Sequence, residues 1–147
     1  MNRAGGGRGM QGQGNGRGMQ GQGAITATSG TLTTSQRATL VWMAEEEKLA
    51  HDVYVALAAK YPATVQFARI ANAEAAHLAS IQTLLARYGI DDPTTGMAAG
   101  EFRTAAFQSL YDDLVARATT TANALAVGVT IEKLDIADLT SAMSGLT

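Results

Sequence analysis

The stretch FARIANAEAAHLASIQTLLARY, residues 67–88, decides how the rest of the chain is read. Wound as a helix, it sets Phe67, Ile70, Ala71, Leu78, Ile81, Leu84, Leu85 and Tyr88 on one side. That is the i, i+3, i+4, i+7 spacing of a single buried face. Glu74 and His77 fall on the same face, one turn apart. A carboxylate and an imidazole in an apolar stripe are costly unless something pairs with them. The neighbouring helices must supply that partner.

Upstream, Thr33-x-x-Gln36 has the spacing of a capping box and predicts a helix start. This helix runs to about Lys60 and stops before Tyr61-Pro62, because the residue before proline avoids the α region. Its inward stripe is Leu40, Met43, Glu47, Ala50, Tyr54, Leu57 and Tyr61, with Glu47 inside it. Glu46 borders the stripe on the side of Trp42, Leu49 and Val53, and Glu45 lies away from it. The run of three glutamates is therefore not simply a solvated face, and at least one member should point inward.

The second helix is predicted from about Ala63 to Tyr88, with Gly89 just past its end and Ile90 folding back on the last turn. Residues 91–100 carry turn chemistry (Asp-Asp-Pro, then Thr-Thr-Gly). A shorter third helix covers about 101–118, with Phe102, Ala106, Phe107, Leu110 and Leu114 inward. The fourth covers about 122–143, with the stripe Leu125, Gly128, Val129, Glu132, Asp135, Ile136 and Leu139. Gly128 costs about 1 kcal/mol against alanine in a helix, so it points to a close approach by another element. Nothing reads as a β-strand. The prediction is an all-α, up-down helical bundle over residues 32–147.

Composition narrows the function classes. There is no cysteine, which excludes disulfides, thiolate metal sites and a cysteine nucleophile. No apolar run reaches the length of a membrane span. Residues 1–31 are rich in Gly, Arg and Gln and repeat GRGMQGQG, the composition of a disordered tail. The tail holds Arg3, Arg8 and Arg17 and no acid, so the remainder carries a formal charge of −5. Three arginines without interleaved aromatics are a weak nucleic-acid signal, and a flexible tether is the better reading. No apolar leader is visible, so as written the chain reads as cytoplasmic, or as extracytoplasmic if its true start lies elsewhere.

Three long helices thus place acid on inward stripes: Glu47, then Glu74 with His77, then Glu132 with Asp135. In a bundle those stripes converge. Converging carboxylates would repel and protonate unless cations neutralise them. Two divalent ions against four carboxylates and a neutral imidazole balance the charge; iron, manganese or zinc suit such ligands. Each piece alone has a plainer reading. A lone Glu-x-x-His is more often a surface or cap pair, and Glu47 alone is more often solvated. His51, one turn after Glu47, is explained as well by its neighbour Asp52 as by a ligand role. The joint pattern on three helices favours metal.

At these residues the chain resembles the ferritin-like superfamily. Within EEEKLAHDVY, residues 45–54, Glu47-x-x-Ala50-x-x-x-Tyr54 looks like the first-helix pattern of rubrerythrins, and Phe67-x-x-Ile70-Ala71-x-x-Glu74-x-x-His77 like their second-helix ligand motif. With Leu110-Tyr111 and IEKLDIADL, residues 131–139, the closest resemblance is to the family catalogued as domain of unknown function 2202. The resemblance implies a di-metal, di-iron-type carboxylate centre held by Glu47, Glu74, His77 and Glu132, with Asp135 either behind these ligands or as an additional one. It also implies Fe(II) oxidation by O2 or H2O2. Related chains continue past this point into a further helix, and if that helix is truly missing the bundle is short of one wall. A bundle short of one wall exposes an apolar face, which predicts a homo-oligomer. The rival reading is a non-catalytic bundle for metal storage or protein interaction.

Overall fold

The computed structural model describes residues 30–144, and the segment read as a disordered tail lies almost wholly outside them. Four helices follow in chain order: α1 Thr34–Lys60, α2 Val65–Arg87, α3 Ala105–Arg117 and α4 Thr121–Ser144. Among the described residues there is no strand, and no helix is long and apolar enough to cross a membrane.

The ends of the first two helices form as local chemistry dictates. Gln36 donates its backbone N–H to Thr33 Oγ1 at 3.2 Å, and Thr33 donates its own to Gln36 Oε1 at 2.9 Å, closing the capping box. At the end of α2, Gly89 takes a φ of 59°, which only glycine adopts without strain. Ile90 then donates to the Leu85 carbonyl at 2.9 Å and Gly89 to that of Ala86 at 3.2 Å, the two bonds of a Schellman motif. Ile90 folds back onto the small cluster of Ala44, Ile81 and Leu85. Arg37 on α1 donates to the carbonyls of Tyr88 and Gly89, tying the two helix ends together.

α1 is the hub. It packs against α2, α3 and α4, whereas α2 packs on no helix but α1. Trp42 meets Asp138 and Tyr54 meets Gly128, so α4 runs antiparallel to α1. Ala44 lies against Ile81 and Leu85, and Glu47 beside His77, so α2 does too. Residues 44–50 are all buried, a run that no one-sided helix shows. The main core joins Val53, Tyr54 and Leu57 of α1 to Phe67, Phe107, Leu114 and Ile131. Each such side chain contributes about 1.5–3 kcal/mol by leaving water.

Three expectations shift. α2 begins at Val65 rather than Ala63, and α3 begins at Ala105 rather than 101. Phe102 is still buried, but from the preceding loop, and Ala106 faces solvent. The largest correction is in α4. Its buried residues are Ala124, Val127, Gly128 and Ile131, while Leu125, Val129, Ile136 and Leu139 are exposed. α4 is apolar on two sides, and the larger side chains suggested the wrong one. Packing selects the smaller set because it lets α4 approach α1: a Cβ on Gly128 would sit 3.1 Å from the Tyr54 hydroxyl. That close approach is what the glycine permits.

Candidate metal centre

The charged run Glu45, Glu46, Glu47 and Lys48 is buried in full. Successive helical residues rotate by about 100°, so the four side chains leave α1 in four directions. Each meets a different part of the molecule.

Two of them are met by ordinary partners. The Glu45 carboxylate accepts the Thr104 backbone N–H at 2.9 Å and the Thr104 hydroxyl, and so fixes the start of α3. Lys48 pairs with Asp52, donates to the Ala98 carbonyl at 2.9 Å and lies 4.6 Å over the Phe102 ring. Asp52 also accepts the Gly100 N–H at 2.9 Å and contacts His51 Nδ1 at 2.8 Å. His51 therefore belongs to the network that anchors the loop before α3.

The other two face acids. Glu47 turns toward α2, where one ligand atom each from Glu47, Glu74 and His77 lie within 4.8 Å of one another. His77 Nδ1 is 2.9 Å from Glu74 Oε2 and 3.5 Å from Glu47 Oε2. The two carboxylates are buried, but the His77 side chain is 55% exposed, so the cluster is open to solvent on the His77 side. Burial, then the negative charge of Asp135, pushes Glu47 up to about 7, a shift that the His77 charge opposes. Burial works against the His77 imidazolium. Its bond to Glu74 and the charges of Glu47, Glu74 and Asp135 outweigh that and hold it above the usual histidine range.

Glu46 turns toward α4. Burial and a hydrogen bond shared with Asp138 push it up to about 8, with the charges of Asp138, Asp135 and Glu47 adding to the shift. Asp138 in turn accepts the indole N–H of Trp42 at 2.9 Å. Among the described residues no buried side-chain nitrogen or oxygen lacks a hydrogen-bond partner.

The α4 acids are placed less tightly. Asp135 is half-buried and raised by desolvation, then by the charge of Glu132. Glu132 is exposed, yet its Oε1 accepts the Tyr54 hydroxyl at 2.7 Å. Burial and that bond push the phenol up, so it remains a donor. The structure thus brings Glu47, Glu74 and His77 together, sets Asp135 within electrostatic reach and leaves Glu132 at the rim. Sequence reasoning gave Asp138 no site role and Trp42 only a place in the packing. Their spacing from residues already singled out, Asp138 three after Asp135 and Trp42 four before Glu46, was the available signal.

The donor set fits a cation. Two carboxylates and an imidazole suit iron, manganese or zinc. A cation would also offset the burial and the repulsion that otherwise hold protons on Glu46 and Glu47.

Comparison with known proteins agrees with the sequence motifs. The model of a family described as "Uncharacterized protein domain (DUF2202)" matches residues 36–146. An uncharacterized protein of Methanocaldococcus jannaschii is 44% identical over 101 residues, which is 68% of this chain and 54% of that protein. The chain therefore spans about half the length of this curated relative. No solved structure matches.

Proposed function

The chain belongs to the DUF2202 family, and from that premise we propose that it is a ferritin-like carboxylate protein whose centre takes two divalent ions, iron in the first place, and oxidises Fe(II) with O2 or H2O2. The observation that carries this reading is the convergence of Glu47, Glu74 and His77 from two helices. Further acids crowd in from α4. Glu47, Glu74 and His77 would hold one ion, and Asp135 and Glu132 would complete the set from the α4 side. Bound there, an iron pair supplies two electrons, which with two protons reduce H2O2 to two waters or O2 to H2O2. The chain's own part is to fix the donors and set the dielectric around them. Tyr54 orients Glu132 through its hydroxyl, and Asp138 and Glu46 hold a proton between them beside the cluster.

A second reading rests on the exposure of His77. An open cluster suits exchangeable metal binding or storage as well as enclosed oxidation chemistry. Loading with Fe(II) without oxygen, desalting and counting iron tests the centre. The expected result is about two irons per chain, falling to one or none in Glu74→Ala. No retained iron in the wild type would end the metal reading. Iron retained without O2 or H2O2 consumption would select storage.

A further inference from the structure

α4 carries an apolar stripe that its own fold leaves bare. Leu125, Val129, Ile136, Leu139 and Met143 are between 47% and 63% exposed. With Glu132 they recur at alternating steps of four and three, the a/d spacing of a heptad. Val129 and Ile136 hold a positions, Leu125 and Leu139 hold d positions, and Glu132 is the charged member. The core side of α4 meets the main core through Ala124, Val127 and Ile131. One flank, with Leu134 and Asp138, turns to Phe107 and Leu110 of α3. The stripe lies on the other flank, toward α2. There Glu132 reaches Tyr54, whose ring packs on Phe67 of α2. Yet among the described residues α2 and α4 do not pack on each other. They leave a groove between them over α1, with the stripe as one wall.

We propose that a second copy of this chain fills the groove with its own α4, in a parallel two-stranded coiled coil whose two-fold axis runs along the helices. β-Branched residues at a with leucine at d make the core that favours two parallel strands. The fold selects the same orientation. A two-fold along the helices sets α4 of the second copy beside both α4 and α2 without collision. An antiparallel two-fold in this groove would carry α1 of the second copy onto α2 of the first. In the parallel register each stripe residue meets its own copy, and Glu132 enters a hole edged by the partner's Lys133. That opposite charge, and the bond that holds Glu132 back on Tyr54, offset the repulsion between the two Glu132 side chains. Ala126, Ala137 and Thr140, exposed on the outer side of α4, are small enough for it to lie against the partner's α2. The stripe is about 27 Å long, and strips of that length and about 10 Å width are covered on two sides of α4 and one of α2. Each copy thus buries roughly 800 Å², the size of a stable interface. The pairing stands on the stripe and needs no metal.

Sedimentation equilibrium of the full chain in chelator tests the pairing, and its result stands whether or not the metal centre loads iron. The expected particle has twice the mass of the 15.2 kDa chain. Interfaces of this size bind in the micromolar range or tighter, so a monomer at about 100 µM would overturn the proposal. Ile136→Glu and Lys133→Glu change side chains that are exposed in the single chain, so both should stay folded by circular dichroism. Ile136→Glu should weaken the pairing at least about thirtyfold, as the loss of a central buried contact does. Lys133→Glu should weaken it at least about fivefold, because it sets a like charge beside Glu132. A dimer that Ile136→Glu leaves unchanged would overturn the proposal too. The chain has no cysteine, so Leu125→Cys and Met143→Cys report the orientation without interference. In the parallel pair each variant, oxidised alone, should close a disulfide with its own copy. Cross-linking only when the two variants are mixed marks an antiparallel pair and would likewise overturn the proposal.

Discussion

Glu45 and Glu47 stand two residues apart on α1 and are both buried, but they meet opposite surroundings. Glu45 faces donors, the N–H and hydroxyl of Thr104. Lys48 and Asp52 on the neighbouring face form an ion pair, so on this side each acid is met by donors within the fold. Glu47 faces Glu74 and Asp135, and Glu46 next to it faces Asp138. Burial by itself therefore does not mark a functional acid. What marks it is burial among like charges, where the fold leaves a need for protons or cations from outside.

Breaking the matched side should have the largest effect on folding. Asp52→Ala leaves Lys48 buried without its counter-charge, frees the Gly100 N–H and releases His51. The expected loss is about 3–5 kcal/mol, read as a fall in the urea midpoint with little change in slope. Metal retention in the folded fraction should persist, because no candidate ligand is touched. A variant that keeps its stability would show that the network is ornamental to the fold.

The crowded side should respond to pH instead. Glu46 and Glu47 titrate near 8 and 7 in the fold against 4.5 as free groups, so between those limits the folded state holds more protons than the unfolded. Stability is then present below about pH 4.5 and lost as pH rises through 7 and 8. His77, also raised, acts in the same direction above its ordinary 6.5. The metal-free protein should lose about 5 kcal/mol between pH 5.5 and 8.5, and bound metal should remove that loss. A flat profile in chelator would show that the carboxylates are hydrated.

Legibility followed the same division. The α1 and α2 stripes were readable because large apolar residues and the motif acids lie on one face of each helix, and the capping box and Gly89 fixed the ends. α4 was misread because Leu125, Val129, Ile136 and Leu139 are larger than the Ala124, Val127, Gly128 and Ile131 that pack. Sequence periodicity reports apolar size, whereas the close contact at Gly128 with Tyr54 depends on smallness. Asp135 kept its place near the cluster because it borders both faces. Glu132 did not, because it rides on the exposed one. The partners of Glu45 and Asp52 were not readable either, since Thr104 and Gly100 lie 59 and 48 residues away in a loop without periodicity.

A neutral isostere sharpens the contrast between the two glutamates. Glu47→Gln removes one of the crowded charges while keeping a hydrogen-bonding side chain. It should stabilise the metal-free protein by about 1–2 kcal/mol at pH 8 and abolish metal retention. Glu45→Gln should instead destabilise by about 1–2 kcal/mol, because its amide cannot accept both Thr104 donors as well as a carboxylate does, and metal should stay. Opposite signs in the two variants at one pH are the signature to seek in paired melts. Equal signs would erase the distinction between matched and crowded acids.

Tyr54→Phe carries the smallest expected effect and decides whether the crowded side extends to α4. The Tyr54 hydroxyl bonds Glu132 at 2.7 Å and the Gly128 carbonyl at 3.3 Å, so the variant removes two contacts without changing the ring's packing. Water reaches the exposed Glu132, so the loss should be only about 1 kcal/mol in the metal-free protein. Metal binding has more to lose. If Glu132 is a ligand, the hydroxyl fixes its orientation, and losing such an orienting bond weakens metal affinity by about 10–100-fold. The weakening should fall on the second ion, because Glu47, Glu74 and His77 are untouched. Metal titration of Tyr54→Phe should then show one tight and one weakened step. Two unchanged steps would remove Glu132 from the ligand set and confine the centre to the α1–α2 pair, with Asp135 as its one neighbour from α4.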